Sequence, residues 1–429
     1  MKITKNKVIF FMVCIYPIIP YYFNIFGINA SNLIALIIIA LFIISNRGNK
    51  LYLNKSLLVY IFIFACLFRS VSIAINGSIE SLFYLTKILI PFLFLMQEIN
   101  TKEKFLTVIE MLVYVSGVLC IFGIIEEITK FNIFSLLNNS GTSLNYNELR
   151  LGLMRIISFT GQTITYGIYI TFSMCLCFYL ICINSMKNEN KKIFYVIYIL
   201  QWINVFLTVS RSSILCCILS QVLLLFFYDI KIALKKITII VICLIFIMGI
   251  GYLFIPVMQT SVINFCYMLL GVFDNKYAVQ IASSFGNDNL IATGHRLSLY
   301  NWVFNSMKGK WIIGHGYNAQ FNYLIQNVTD GWYWTTIKHS IEVESLSLLF
   351  HYGIIGMVPQ LLLYFSMLLF GIKNHLKSYT WDSNLNFNIV IIVIMIIYLF
   401  YFLSNCMGSE EVFFYMLLSL IVAYNKKLN

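Results

Sequence analysis

Six basic residues of this chain occupy positions that suit a bound anion. Four arginines fall in or beside loops on one side of a series of apolar segments, and one arginine and one lysine lie inside apolar segments just beneath those loops. They are Arg150, Arg155, Arg211 and Arg296 in the loops, with Arg69 and Lys87 beneath them. A planar guanidinium group binds phosphate through two parallel hydrogen bonds. The pattern therefore predicts a phosphate-containing ligand at one face of a membrane protein.

Arg69 and Lys87 are the two cations that the sequence places within apolar segments. A cation there costs roughly 2.5–3.5 kcal/mol on insertion scales, so such residues are usually functional. Both lie about one to two helical turns from the loop side. We expect them to share one polar cavity, and the alternative is an ion pair with Glu80 or a hydrogen bond from each to a helix carbonyl.

The elements that must position these cations are membrane spans. Hydrophobic residues make up 60% of the 429 residues, charged residues make up 11%, and the mean hydropathy is +0.85, which excludes a soluble globular domain. We predict an all-α polytopic protein with about twelve spans and a single integral membrane domain over residues 1–429. The predicted spans are Val8–Phe23, Gly27–Ile44, Ser56–Ile75, Ile79–Met96, Phe105–Ile125, Thr163–Ile183, Ile193–Val209, Ser212–Tyr228, Ile237–Val257, Ser345–Ile372, Phe387–Leu403 and Met407–Tyr424.

The distribution of lysine and arginine over the loops predicts the orientation. One set of alternate loops carries about twice as many Lys and Arg residues as the other, and it includes both termini. That side is therefore expected to be cytoplasmic. It accounts for essentially the whole net charge of +12, so the basicity is a topology signal and does not indicate nucleic-acid binding.

Two long loops lie on the opposite side, at residues 126–162 and 258–344. Loops of this length are usually functional or disordered. The second contains a short amphipathic helix predicted over Arg296–Met307 and a turn over Gly314–Tyr317. The eleven cysteines lie mostly within spans and are read as apolar packing residues. No spacing typical of a metal site occurs, so neither a metal nor another cofactor is expected.

Several short motifs resemble one family. Thr208-Val-Ser-Arg211-Ser-Ser is similar to the T-x-S-R-[SGA] signature of the O-antigen polymerase and ligase superfamily of bacterial inner membranes. The same order of motifs continues downstream. The matching segments are Phe159–Gly167, Gly294-His-Arg296, Ile313-Gly314-His-Gly316-Tyr317, His339, Glu344-Ser345 and Tyr352-Gly353-Ile-Ile-Gly356.

The resemblance implies a GT-C-like glycosyltransferase that uses an undecaprenyl-pyrophosphate-linked sugar as donor on the periplasmic side. Arg211 and Arg296 match the arginines that hold the pyrophosphate in this family, and Arg69, Lys87, Arg150 and Arg155 could join them. His339 is the candidate general base, with the carboxylates of Glu342 and Glu344 as the alternatives. Gly314, Gly316 and Tyr317 form the expected substrate loop.

Three functions remain open. The spacing of His339 departs from the ligase pattern and Glu344-Ser345 resembles the acidic-Ser pair of polymerases, which favours an O-antigen polymerase of the Wzy type. An O-antigen ligase that transfers glycan to lipid A core is the first alternative, and a lipid-linked oligosaccharide flippase is the second. The expected partners are the lipid-linked oligosaccharide, membrane lipid and a protein that regulates chain length.

The charge asymmetry makes a topological prediction. Reporter fusions at Lys235 and Asn318 should report opposite compartments, cytoplasmic and periplasmic respectively. Both reporters on the same side would contradict the predicted orientation.

Overall fold

The computed structural model describes residues 12–45, 56–76, 84–139, 149–150, 153–186, 192–228, 292–317, 319–329, 332–338, 341, 343–378, 386–404 and 411–425. These parts of the chain are mostly helical. The α-helices are α1 (Ala30–Ser45), α2 (Leu57–Ile75), α3 (Ile90–Glu98), α4 (Lys102–Thr129), α5 (Thr163–Met186), α6 (Lys192–Leu207), α7 (Arg211–Tyr228), α8 (Ala292–Ser306), α9 (Glu344–Ser378), α10 (Phe387–Ser404) and α11 (Glu411–Asn425). The strands are β1 (Asn24–Ile25), β2 (Ile28–Asn29), β3 (Leu149–Arg150), β4 (Leu153–Met154), β5 (Tyr323–Thr329) and β6 (Trp332–Lys338).

The helices have the length and composition of a membrane protein. Among the described residues, α2, α4, α5 and α9 are long and apolar enough to cross a bilayer. The apolar segments of α1, α6, α7, α10 and α11 are shorter. Large apolar side chains such as Leu57, Ile128 and Leu369 point outward and are more than half exposed, as expected of a lipid-facing surface. The expectation of a mostly helical protein with apolar helices long enough to span a membrane is confirmed in the described residues. The count of twelve spans and the GT-C-like fold remain predictions, and the span Ile237–Val257 lies outside the described residues.

Two sequence expectations are wrong in the described residues. The predicted span Val8–Phe23 is not one helix, because residues 12–14 are helical and a 3-10 turn at Tyr16–Ile18 follows. Pro17 and Pro20 lack the N–H groups that an α-helix would need there. The all-α expectation also misses the antiparallel pair β5–β6, whose register runs from Tyr323 opposite Lys338 to Thr329 opposite Trp332.

Polar side chains join α4, α5 and α6 inside the bundle. The Tyr166 hydroxyl donates to Asn204 Oδ1 (2.9 Å), and Asn204 Nδ2 donates to the Cys120 carbonyl (3.0 Å). One turn away, Gln201 Nε2 donates to the hydroxyls of Ser116 (2.8 Å) and Ser173 (3.1 Å). Inside a bilayer no hydrophobic driving force brings helices together, so hydrogen bonds of this kind help to hold them in contact.

Helix α9 is interrupted at Gly353, and a loop fills the interruption. Gly353 has φ 64° and ψ −166°, a backbone conformation that residues other than glycine essentially never adopt. Two N–H groups and two carbonyls that would pair within a continuous helix pair with residues 311–316 instead, so these four groups keep hydrogen-bond partners. The bonds are His315 N–H to Phe350 C=O (2.8 Å), Gly316 N–H to His351 C=O (3.1 Å), Ile354 N–H to Trp311 C=O (2.9 Å) and Ile355 N–H to Ile312 C=O (3.2 Å).

Glycines allow the loop and the helix to approach this closely. A Cβ added at Gly353 would lie 2.4 Å from the Ile312 carbonyl oxygen, and one added at Gly314 would lie 2.6 Å from the backbone nitrogen of Gly353. Ser72 of α2 fastens both segments, because its hydroxyl lies 2.9 Å from the Tyr352 carbonyl and 3.3 Å from the Ile313 carbonyl. The G-x-G and x-G-x-x-G motifs are thus two halves of one backbone junction.

The junction predicts a specific sensitivity to side-chain addition. Gly353→Ala should lower Tm strongly, since the backbone conformation alone costs about 1–3 kcal/mol and the methyl group meets backbone atoms. Gly309→Ala is the matched control, because Gly309 also has a positive φ of 79° but nothing lies within 4 Å of its added Cβ. Thermal unfolding of both purified variants checks this. Equal shifts in Tm would show that the close approach is unimportant.

Candidate functional site

A cavity of about 450 Å³ brings Arg69 and Lys87 together. Arg69 lies in the last turns of α2, and Lys87 lies in the π-helical turn Leu85–Leu89 that precedes α3. We call this space the Lys87 cavity. Two cations from neighbouring helices therefore face one space, which is the arrangement that an anionic ligand requires.

Two tyrosine rings enclose the Arg69 guanidinium. Its central carbon lies 4.8 Å from the ring centroid of Tyr84 and 4.7 Å from that of Tyr352. Arg69 is 8% exposed. Cation–π contacts of a desolvated cation contribute about 2 kcal/mol each. The planar group is thereby fixed in orientation, and a lysine could keep the charge but not the stacking.

Lys87 owes its position to a local disturbance of the helix. A π-turn is rare and occurs frequently at functional sites. Pro91 follows four residues later and has no N–H to donate to the Lys87 carbonyl, and the Tyr16 hydroxyl donates to that oxygen at 2.6 Å. The buried Tyr16 therefore joins the N-terminal segment to the turn that carries the lysine.

Two helix N-termini also line the Lys87 cavity. Asn29, Ser31 and Asn32 come from the start of α1, and Thr160, Gln162 and Thr165 come from the start of α5. The unpaired N–H groups at a helix start give that end a partial positive charge, which favours anions. The helix starts and the two cations have the same sign, and none of the described residues that line this cavity is Asp or Glu.

The start of α5 is held by a buried carboxylate of α4. Glu126 is 3% exposed and accepts the backbone N–H groups of Ile157 (3.0 Å) and Ser158 (2.9 Å). These bonds stabilise Ser158 at a positive φ of 47°, and the chain then turns at Gly161 into α5. Glu126 therefore fixes the turn that presents Thr160 and Gln162 to the cavity.

A second cavity of about 400 Å³ meets the first at Arg69. Arg69, Tyr317 and Tyr352 line both, and the second adds Glu344, Ser347, Leu348 and His351 from the first two turns of α9. We call it the Glu344 cavity. A carboxylate and a fixed guanidinium thus line the same space, which suits a reaction in which one group takes a proton while the other stabilises negative charge.

The two histidines near this junction have different surroundings. His351 lines the Glu344 cavity, with Nδ1 2.8 Å from the Ser347 carbonyl and Nε2 3.2 Å from the Ala319 carbonyl. His315 lies in the loop, where its ring stacks on Phe350 at 4.3 Å. Burial lowers the pKa of His315 below its usual value, so its imidazole is neutral at neutral pH.

The T-x-S-R motif forms the turn from α6 to α7. The Thr208 hydroxyl donates to the Val205 carbonyl (2.6 Å), and Ser210 caps α7 by accepting the Ser213 N–H at 3.5 Å. Val209 between them has a φ of 47°, which is strained for a β-branched residue. The motif thus places Arg211 as the first residue of α7.

Arg155 braces this turn. Its Nη2 donates to the Thr163 hydroxyl at 2.7 Å, and its Nε lies 3.5 Å from the Thr208 carbonyl. Arg155 lines neither the Lys87 cavity nor the Glu344 cavity in the part of the chain that the structure describes. Its described contacts join the start of α5 to the turn before Arg211.

Of the remaining predicted site residues, some are described by the structure only in their backbone, and His339 is not described. Arg150 lies in β3 opposite Leu153, and Arg296 lies in α8. Gly314 and Gly316 belong to the loop that fills the break in α9, and Tyr317 follows them into both cavities. His339 lies outside the described residues, as do the alternative base Glu342 and the alternative ion-pair partner Glu80.

Sequence reasoning missed several residues that line the cavities. The motifs do not single out Tyr84, Asn32 or His351, and Gln162 enters only as part of the Phe159–Gly167 segment. The only local signal was Pro91, which marks a carbonyl that an α-helix cannot pair. The other positions become visible only once the helices are assembled.

Comparison with known families supports the resemblance seen in the motifs. Residues 196–360 match a family model described as O-antigen ligase, and the match supports the superfamily of O-antigen ligases and polymerases. It includes Arg211, Arg296, Tyr317 and Glu344, whereas Arg69, Lys87 and the Phe159–Gly167 segment lie outside it. The chain matches no curated protein sequence.

Close packing of α5 on α7 next to the T-x-S-R turn yields a prediction. A Cβ added at Gly167 would lie 2.4 Å from the Cβ and Oγ of Ser213, so Gly167→Ala should push α7 away and destabilise the protein by about 1–3 kcal/mol. Adding Ser213→Gly should restore most of the lost Tm. If the double variant is no more stable than Gly167→Ala alone, the contact is not the cause.

Proposed function

We propose that the protein is an O-antigen polymerase that joins undecaprenyl-pyrophosphate-linked repeat units at the periplasmic face of the bacterial inner membrane, with both termini in the cytoplasm. The observation that carries the proposal is the pair of cavities that meet at Arg69. One contains a second cation, Lys87, and the other contains the carboxylate of Glu344. The family match supports an enzyme of lipopolysaccharide biosynthesis.

The reaction assigned to this site is a glycosyl transfer. A hydroxyl oxygen on the non-reducing sugar of an incoming lipid-linked unit attacks the anomeric carbon of the growing chain. The bond from that carbon to the pyrophosphate oxygen breaks, and undecaprenyl pyrophosphate leaves with the electron pair. The hydroxyl proton passes to a base, so one glycosidic bond replaces one glycosyl–phosphate bond.

The cations stabilise the leaving group in this proposal. Negative charge grows on the pyrophosphate as the bond breaks, and fixed cations in a site shielded from water stabilise it without reorganisation. The two tyrosine rings close to Arg69 and the π-helical turn that carries Lys87 support this role. Arg211 and Arg296 join them on the strength of the resemblance, and Arg150 and Arg155 complete the proposed basic set, Arg155 acting through the turn that it braces.

Glu344 is the base that the geometry supports. It is the first residue of α9 and lines the cavity that contains Arg69. An acceptor hydroxyl there would lie between a proton acceptor and the cation that faces the leaving group. His339 remains the base suggested by the resemblance. The Glu344-Ser345 pair and the displaced His339 favour the polymerase over the ligase.

The test is a deletion followed by complementation. A strain without this protein should show lipid A core that carries a single repeat unit, because a separate ligase would still transfer unpolymerised units. Core without any repeat unit, together with long polymer on undecaprenyl pyrophosphate, would identify a ligase instead.

Complementation should depend on the cavity cations. Arg69→Lys and Lys87→Gln should each reduce polymerisation about a hundredfold to a thousandfold, the usual cost of losing one transition-state contact. Lys308→Gln is the matched control, since Lys308 is exposed and lines neither cavity. Glu344→Gln should also fail although the protein inserts. Normal polymer ladders from Arg69→Lys and Lys87→Gln would remove these cations from the mechanism.

A further inference from the structure

We propose that the Lys87 cavity also binds the sugar attached to the pyrophosphate, through the side-chain amides of Asn32 and Gln162. This inference deepens the proposed function and rests on it. It assigns saccharide recognition to the starts of α1 and α5, both of which lie outside residues 196–360.

The two amides line the cavity from different helices. Asn32 is half-buried, and its side-chain amide makes no hydrogen bond with another residue that the structure describes. The Oε1 of Gln162 accepts from the Thr165 hydroxyl at 3.2 Å, and its Nε2 donates to no described residue. An amide offers both donors and an acceptor, so it can pair with sugar hydroxyls, which are donors and acceptors themselves.

Asn32 and Gln162 are held in place by neighbours rather than by each other. The Asn29 side chain accepts the backbone N–H of Ser31 at 3.0 Å and the Ser31 hydroxyl at 2.6 Å, which fixes the first turn of α1. The Thr160 hydroxyl donates to the Gln162 carbonyl at 2.8 Å, which fixes the turn before α5. The backbone segments that carry Asn32 and Gln162 are therefore held in a fixed conformation, as a selective site requires.

Different parts of the lining of the Lys87 cavity offer different chemical groups to a ligand. Arg69 and Lys87 supply positive charge, whereas the starts of α1 and α5 supply neutral amides and hydroxyls. Tyr317, 40% exposed, and Tyr21, 38% exposed, add aromatic rings that can contact the apolar face of a sugar. A volume of about 450 Å³ lies within the roughly 300–1,000 Å³ of small-molecule sites, with room for a pyrophosphate and a sugar ring together.

Binding of defined carriers to the purified full-length protein in lipid nanodiscs tests the proposal. The probes are undecaprenyl pyrophosphate alone and the same carrier bearing one hexose, one N-acetylhexosamine or one uronic acid. At least one sugar-bearing carrier should bind the wild-type protein about tenfold more tightly than the bare carrier.

The variants locate the effect. Asn32→Ala combined with Gln162→Ala should abolish the preference for the sugar-bearing carrier and leave the affinity for the bare carrier unchanged, which also shows that the variant is folded. Asn301→Ala, at an exposed asparagine of α8 that lines neither cavity, should keep the preference. Lys87→Gln should weaken binding of all carriers equally.

Two outcomes would overturn the proposal, and they differ in meaning. If every carrier binds the wild-type protein as the bare carrier does, or if the double amide variant keeps the preference, the sugar lies elsewhere while the proposed function stands. If no carrier binds the wild-type protein at all, the proposed function fails together with the sugar site.

Discussion

A guanidinium group inside a bundle of apolar helices is the constraint around which this site is built. Placing Arg69 there costs roughly 2.5–3.5 kcal/mol, and each desolvated contact with a tyrosine ring returns about 2 kcal/mol. The favourable free energy of the two contacts, with Tyr84 and Tyr352, is therefore large enough to offset the cost of placing the cation at this depth.

The break in α9 serves the same arginine. It follows Tyr352 directly, and the Tyr352 carbonyl accepts the hydroxyl of Ser72, which lies one turn after Arg69 on α2. One helix thus supplies both the cation and the anchor for a ring that covers it. The loop that fills the break also delivers Tyr317, whose ring centroid lies 6.3 Å from that of Tyr352. The glycines of the two motifs consequently position the rings of Tyr317 and Tyr352, which belong to the same motifs, near Arg69.

Local properties of the sequence predicted the helices well and the site only in part. The predicted span Ser56–Ile75 is observed as the helix Leu57–Ile75. A long apolar run without proline forms a helix whatever its position in the fold. Arg69 and Lys87 could be identified because charge inside such a run is costly. Tyr84 and Asn32 could not, because nothing nearby in sequence distinguishes them from other span-end residues.

Competing local signals explain the errors. Two prolines within Val8–Phe23 outweighed its hydropathy. The β5–β6 pair was missed although Asp330-Gly331 stands between two runs rich in aromatic and β-branched residues, a pattern typical of a hairpin. Gly314 and Gly353 were each recognised as motif residues, but their mutual contact joins segments far apart in sequence and appears only in the assembled fold.

The second ring at Arg69 is oriented by the C-terminal helices. The Tyr84 hydroxyl lies 3.2 Å from that of Tyr415 in α11, and Gln360 Nε2 in α9 donates to the hydroxyls of Tyr415 (3.1 Å) and Tyr364 (2.9 Å). Tyr364 in turn lies 3.3 Å from Tyr398 of α10. An amide that donates to two phenols fixes the direction of both, and networks of this kind are stronger than isolated pairs inside a protein. The cation therefore comes from the N-terminal helices, and the last three helices hold a ring against it.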